Sequence, residues 1–498
     1  MESDKLQGRV EKVVKWIKNP YNFAFLAILA LTIIIRIYFF SLTKNQPIWW
    51  DEADYLAIAK VWAFNYSYDI NVVRPVLFPF IVAGFFKIAN NEFLPRVLIF
   101  LLSIVSVIFT YYLGKETYNK KIGLIASLFI SVFYLNLFFT FRLLVDIPSL
   151  AFFTLSAFLF YRYFKKGSKK ALYLGTIFIA LGTLFKLPTA TLLFAVVIYV
   201  LLTEGLGFIK KKEYWIAVIL FLLILSPYFI WGYAQYGEFV ITAAGEFNAP
   251  KEVNFFVNGF RNMTSYFKLF PLYLTWSFLI IFLLGIASLY KLILGFDMLL
   301  KNKNKRLKRD LFMLLIFIMP IIIVSFSLGH IENRYILNAF PAIFIFSGVF
   351  IMRAYKIIKK YNKILAIILI IFLLGFGVYT QIKKADDLIQ NKKDSYLQVK
   401  EAGIWLGDNA REGDIVITKS IPQIAHYSEK KIIRLSDTEE EFELLLKSEP
   451  NISFFTISVF ETHPEWAYSY PQRKNLTIAK AYFADPSNTQ PLLIIYNI

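Results

Sequence analysis

The stretch AFLAILALTIIIRIYFFSLTKNQPIWWDEADY (Ala24–Tyr55) joins two materials that a soluble domain does not combine. Ala24 to Phe40 is apolar apart from Thr32 and Arg36. Within the longer run 21–42 it is long enough to cross ~30 Å of hydrocarbon, which takes about 20 helical residues. Asp51, Glu52 and Asp54 then fall within four positions beside Trp49 and Trp50. A membrane span that ends in so much negative charge fixes the class of protein and marks a place where chemistry is expected.

The apolar texture repeats along the chain. Of 498 residues, 57% are hydrophobic, and the mean hydropathy is +0.55. This is the composition of a polytopic α-helical membrane protein. Apolar runs at 21–42, 95–113, 122–142, 147–163, 171–185, 189–204, 214–232, 270–293, 310–328, 335–352 and 363–381 predict about eleven transmembrane helices. Residues 1–20 are polar and basic, and no small-residue cleavage site follows the first run, so no cleavable signal peptide is expected. The absence of cysteine excludes disulfides, thiolate metal sites and a cysteine nucleophile.

The net charge of +19 is distributed in clusters at Lys5–Lys18, Lys115–Lys121, Arg162–Lys170, Lys210–Lys212, Lys301–Arg309 and Arg353–Lys363. Lys and Arg accumulate in cytoplasmic loops. Placing all six clusters in the cytoplasm predicts a multi-pass protein of the plasma membrane, with its N-terminus inside and its C-terminus outside. The expected organisation is a cytoplasmic N-terminus (1–20), a transmembrane domain (21–382) with outer loops 43–94 and 233–269, and an outer soluble domain (383–498). The tail has helix-like stretches 395–410 and 437–448 and β-rich runs at Asp414–Thr418, Ile452–Val459 and Pro491–Tyr496, which predicts a small α/β domain. Val76–Ile88 is apolar but short, and charge parity makes it a helix lying in the interface, anchored by Arg74 and Lys87. Four Asn-x-Ser/Thr sequons, at Asn65, Asn262, Asn451 and Asn475, all fall on the expected outer side.

Four groups of ionisable residues gather at outer span ends: Asp51-Glu52-Asp54; Arg74 before Pro75; Asp146 with Arg142 one turn earlier; and His330, Glu332 and Arg334 in "GHIENRY". They offer carboxylates for proton transfer and guanidiniums for phosphate. Each also has a plainer reading. Asp51 and Asp54 suit the first turn of a helix running to Phe64, and Asp146 suits the start of the next span. Trp49 and Trp50 suit an interfacial belt, while Arg36, Lys186 and Arg334 suit snorkelling cations.

The order of these pieces resembles the GT-C superfamily of polyprenyl-phosphate-sugar-dependent glycosyltransferases, such as the protein O-mannosyltransferases and the lipid A aminoarabinose transferase group. Asp51-Glu52 with Tyr55 and Ala59 resembles the family's opening motif. "RPVLFP" (Arg74–Pro79) is similar to its basic-Pro-Pro-Leu segment, with Val76 in place of the second proline. "RLLVDIPSLAFFTL" resembles the second acidic motif and places Asp146, and "HIENRYILNAFPAI" resembles the late outer motif. Trp49-Trp50-Asp51 is followed by Glu52-Ala53, so it is not the oligosaccharyltransferase signature, which continues Tyr-Gly.

The resemblance implies inverting transfer of a sugar from a dolichyl- or undecaprenyl-phosphate donor to a protein, lipid or glycan hydroxyl on the outer face. Asp51 is then the expected base, Glu52 orients it or the acceptor, and Asp146 is a second acidic group. Arg74 and Arg334 are expected on the donor phosphate, with His330, Glu332 and Tyr55 as further site residues. Loop 233–269 and the tail are expected to meet the acceptor. No cofactor is demanded, although Asp51, Glu52, Asp146 and His330 are donors that suit a divalent metal. Membrane lipids are expected partners and nucleic acid is not. The competing class is a lipid or solute transporter, and a non-catalytic scaffold is a third.

Overall fold

The computed structural model describes residues 14–70, 74–237, 254–294, 304–484, 487 and 489–498. Most of Lys5–Lys18, part of Lys301–Arg309 and residues 238–253 of the 233–269 loop lie outside them. The chain divides into two compact units. The helical unit comprises the chain up to Ser41, Val97–Phe141 and Val145–Leu388. The mixed unit comprises Leu42–Arg96, Arg142–Leu144 and Ile389–Ile498.

All eleven apolar runs form helices. They are α1 (Pro20–Thr43), α4 (Phe93–Thr117), α5 with α6 (Lys120–Val132, Tyr134–Thr140), α7 (Asp146–Lys166), α8 (Lys169–Phe185) and α9 (Thr191–Glu204). They continue with α10 (Lys212–Tyr236), α11 (Phe255–Ala287), α13 (Lys305–Ser327), α14 (Phe340–Tyr361) and α15 (Lys363–Lys392), with the short α12 (Tyr290–Leu294) between α11 and α13. Eight are long and apolar enough to cross a membrane, and two bent pairs raise the number to ten. The eleventh, α8, has 17 residues, about 26 Å at 1.5 Å per residue. The span that includes α14 is 83% buried and α7 is 78% buried, so these two form the centre of the unit. α10 and α15 are each 17% buried and turn apolar side chains outward, as lipid-facing helices do.

The pair α5–α6 bends by 54° after Val132, with no proline there. The break frees backbone groups that no water in a bilayer would satisfy. Two buried amides replace the missing bonds. The Tyr134 N–H donates to Gln381 Oε1 at 3.1 Å, and Asn136 Nδ2 donates to the Ile130 carbonyl at 2.8 Å. Gln381→Leu is therefore expected to cost about 1–3 kcal/mol, because it strands a buried N–H. An unchanged thermal midpoint in detergent would remove this role. Elsewhere α4 and α5 approach through glycine: a Cβ on Gly123 would lie 2.6 Å from the Tyr111 carbonyl. Arg36 does not snorkel; it is fully buried, and its Nε donates to Ser103 Oγ at 2.7 Å and its Nη1 to the Ser131 carbonyl at 3.0 Å.

In the mixed unit, α2 (Trp50–Phe64) ends at Asn65, whose left-handed φ of 60° that residue type tolerates. α3 (Leu77–Ile88) buries Phe78, Val82 and Phe86 and exposes Phe80 and Ile88, the one-sided pattern of an amphipathic helix. The C-terminal part contains α16 (Leu397–Asn409), α17 (Ile421–Ser428), α18 (Glu439–Ser448) and α19 (Glu465–Arg473). They flank β1 (Ile415–Thr418), β2 (Lys431–Arg434), β3 (Ile452–Ser458), β4 (Ile478–Phe483) and β5 (Pro491–Asn497). The sheet order is β2-β1-β3-β5-β4, with β1 parallel to β2 and β3, and β5 antiparallel to β3 and β4. Alternation along the strands feeds two cores, one around Val416, Phe454 and Ile495, the other around Ile417, Phe455 and Phe442. α2 packs on both α3 and α17, so the segment that follows the first span and the tail share one unit.

Candidate active site

The acidic stretch opens α2, and its three carboxylates separate at once into different environments. Consecutive helical positions are about 100° apart, so Asp51 and Glu52 cannot face the same way. Asp51 stays accessible, its side chain 26% exposed, and its Oδ1 lies 2.6 Å from Arg74 Nη2. Asp54 is nearly buried; its Oδ2 lies 2.6 Å from Arg74 Nε, and the Tyr68 hydroxyl donates to its Oδ1 at 2.5 Å. The Tyr55 ring lies beneath the Arg74 guanidinium, 5.2 Å from ring centroid to Cζ. Two carboxylates and a tyrosine face hold the Arg74 charge well above the ordinary arginine range, although burial alone would lower it. Asp54 is thus more than a helix-end residue, because it fixes Arg74 against Asp51.

Glu52 points inward and is fully buried. It accepts from the Trp49 N–H at 2.6 Å, which is half of a capping box, and from the Leu143 N–H at 2.5 Å. Arg142 Nη1 lies 3.6 Å away. Burial pushes the Glu52 carboxyl up, while Arg142, Arg96 and the two N–H groups oppose that rise. Arg142 donates to the Pro47 carbonyl at 3.1 Å and the Lys392 carbonyl at 2.7 Å, and stacks on Trp49 at 3.9 Å. Trp49 is therefore an arginine platform and not a belt residue, whereas Trp50 is exposed.

A second polar network in the same unit has no local signature in the sequence. His426, on α17, is buried with its Nε2 3.5 Å from Glu92, which also pairs with Arg96. Lys60 donates to the His426 carbonyl and to Glu429, both at 2.7 Å, and Tyr66 donates to Glu429. Burial, then the nearby Lys60 charge, pushes His426 down to about 4. Its neutral form is favoured by folding, so that stability is complete above the unfolded value near 6.5 and is lost as pH falls toward 4. The loss is expected to reach about 2–3 kcal/mol by pH 4.5, at 1.36 kcal/mol per pKa unit. Glu52, raised by burial, works in the opposite direction. Thermal midpoints compared with His426→Gln isolate the histidine, and equal pH slopes for the two proteins would sink the assignment.

In the helical unit, Asp146 occupies the first turn of α7 and is 1% exposed. Lys186, between α8 and the turn leading to α9, donates to its Oδ1. Arg334 Nη1 stands 4.0 Å from its Oδ2, which accepts no hydrogen bond among the described residues. Arg334 Nε also lies 2.5 Å from Glu332, and Tyr335 donates to Glu332 at 3.0 Å. His330 Nε2 contacts the Tyr335 hydroxyl at 3.0 Å and is exposed. Lys186 sits over the Tyr335 ring at 4.9 Å. Beneath this cluster, Ser149 bonds Thr189 at 2.7 Å and Asn338 at 3.0 Å, tying the start of α7 to the turn before α9 and to the segment leading into α14. Asp146, Arg334, Glu332 and His330 thus gather from distant sequence positions. Lys186, which the sequence reading treated as a snorkelling cation, is the partner it missed; a lysine at the end of a short span was the available signal.

Apart from Glu52, which is buried against Trp49 and Leu143, the expected residues form two constellations: Asp51, Tyr55 and Arg74 in the mixed unit, and Asp146, His330, Glu332 and Arg334 in the helical unit. Among the described residues, no group of three His, Asp or Glu side chains is arranged to hold a metal ion, and the Glu52 oxygens are already occupied by N–H donors.

Residues 73–231 match the family model described as dolichyl-phosphate-mannose-protein mannosyltransferase. No curated protein sequence gives a significant match. Among solved structures, ArnT from Cupriavidus metallidurans bound to undecaprenyl phosphate is similar with a TM-score of 0.65 and 11% identity, over 95% of this chain and 97% of that one. The archaeal oligosaccharyltransferase AglB from Archaeoglobus fulgidus, in complex with an inhibitory peptide and a dolichol-phosphate, is similar with a TM-score of 0.58 and 13% identity, over 89% of this chain and 70% of that one. The chain is thus a multi-pass membrane protein with the fold of the GT-C glycosyltransferases, and its residues 73–231 are similar to the protein mannosyltransferase family model.

Proposed function

We propose that this protein is an inverting glycosyltransferase that moves one sugar from a polyprenyl-phosphate donor to an acceptor hydroxyl at the outer face of the membrane. The observation that carries the reading is Asp51, an accessible carboxylate aimed by Arg74, which the buried Asp54 and its partner Tyr68 hold in place. The partial family match and the likeness to ArnT with bound undecaprenyl phosphate supply the donor class. The Lys and Arg bias favours an orientation with the N-terminus inside and the tail outside.

In this reaction the acceptor oxygen attacks the anomeric carbon as Asp51 takes its proton. The bond from that carbon to the phosphate oxygen breaks, and polyprenyl phosphate leaves with the electron pair. A single displacement inverts the anomeric centre. A carboxylate so placed contributes about 10²–10⁴-fold. Arg74 is committed to two carboxylates, so its role is to position Asp51. Within the helical unit, Arg334 and Lys186, both set beside Asp146, are the kind of cations that hold a phosphate. The proposed acceptor is a hydroxyl of a protein, lipid or glycan.

The test is release of polyprenyl phosphate from radiolabelled donor lipids by the purified protein in liposomes. Turnover with at least one lipid-phosphate sugar, lost in Asp51→Asn, is the expected result. Sugar-lipid flux between leaflets without any cleavage would identify a transporter instead.

A further inference from the structure

A second charged feature of the helical unit takes no part in the proposed transfer. α14 begins just after Arg334 and runs 22 residues, about 33 Å, before it reaches the other end of the unit. There it meets the α4–α5 turn, the start of α13, and α12. Together they line an open cavity of about 1250 Å³. Its lining includes Lys120, Lys121, Arg306, Arg353, Lys356 and Lys359. Its acidic lining residue is Asp310, which is already bonded to Arg309 at 2.7 Å and Tyr118 at 2.9 Å. Among the described residues, these six cations form no ion pair with a carboxylate.

Six like charges around one concavity repel one another, and a bound anion removes that cost. The site is built for more than diffuse charge. Lys120 lies over the Tyr21 ring at 5.4 Å, Lys121 and Lys359 lie on the Tyr355 ring at 6.0 and 5.8 Å, and Arg353 Nη1 is tied to the Ser288 carbonyl at 3.1 Å. Aromatic faces thus hold three of the cations toward a common space. Tyr290 and Leu294, both exposed, add an apolar flank to the same lining. Cations with an apolar flank at one end of a membrane bundle match a phosphate headgroup whose acyl chains continue alongside the helices.

We propose that this cavity binds the phosphate headgroup of an anionic phospholipid, at the end of the helical unit opposite Asp146, independently of the transfer reaction. The protein is reconstituted in nanodiscs containing equal phosphatidylcholine and phosphatidylglycerol, and co-purifying lipid is counted by native mass spectrometry. Wild type is expected to retain phosphatidylglycerol about tenfold over phosphatidylcholine, and Lys120→Gln/Arg306→Gln/Lys356→Gln is expected to abolish that preference. The three positions are exposed or half-buried at helix ends, so the core is untouched. Lys170→Gln/Lys210→Gln/Lys212→Gln removes the same charge from positions outside the cavity and is expected to retain the preference. Equal loss in both triples, or retention in the first, overturns the site. Inorganic pyrophosphate titrated into delipidated protein separates the sources of phosphate. Weak binding that leaves the lipid in place supports the headgroup, whereas micromolar binding that displaces the lipid assigns a soluble anion and overturns the lipid reading.

Discussion

Asp51→Asn is expected to lower the turnover number for polyprenyl-phosphate release by about 10²–10⁴-fold while donor binding stays within a few-fold of wild type. Asparagine keeps the volume of aspartate, and its carbonyl still accepts from Arg74, so the Asp51–Arg74–Asp54 arrangement survives. What disappears is the group that takes the proton. Asp54→Asn is the informative companion. Asp54 is 5% exposed and touches Arg74 and Tyr68, so it acts on Asp51 only through Arg74. Its loss lets Arg74 drift and is expected to cost about tenfold, a positioning effect. A larger loss in Asp54→Asn than in Asp51→Asn would reverse the two roles. An Asp51→Asn protein that keeps more than a tenth of the wild-type turnover would remove Asp51 as the base.

The spans were legible because apolar length is a property of the sequence itself, and every expected run from 21–42 to 363–381 is a helix. The first turn of α2 and three of the five strands were legible for the same local reason. The environment of each carboxylate was not. Nothing local distinguishes Asp51 from Asp54, yet Arg74 and Tyr68 bury one and leave the other open. Lys186 read as a snorkelling cation because its partner Asp146 lies 40 positions earlier. His426 was invisible as part of the Glu92–Arg96–Lys60–Glu429 network, since its partners come from segments more than 300 residues away. Partners set by long-range folding carry no periodic signal.

Glu52 gives the other large expected effect, and it separates a structural from a chemical use of the acidic pair. Glu52→Leu is expected to destabilise the protein by about 3–5 kcal/mol, because it leaves the Arg142 charge buried without its carboxylate. The Trp49 and Leu143 N–H groups lose their acceptor at the same time. Glu52→Gln keeps one acceptor oxygen but not the charge, so its cost should be smaller. In Glu52→Leu/Arg142→Met the uncompensated charge is gone, and part of the loss should return. Recovery stays incomplete because the Pro47 and Lys392 carbonyls lose the Arg142 donor. Thermal midpoints of wild type, Glu52→Leu, Arg142→Met and the double variant give the coupling between the two side chains, and a value near zero would break the proposed pair. Activity then distinguishes the roles. If Glu52 holds the Arg142–Leu144 segment against the start of α2, Glu52→Gln assayed well below its midpoint regains most of the wild-type turnover. If Glu52 also touches the reacting groups, turnover stays low at every temperature while the fold is intact, and Glu52 joins Asp51 in the chemistry.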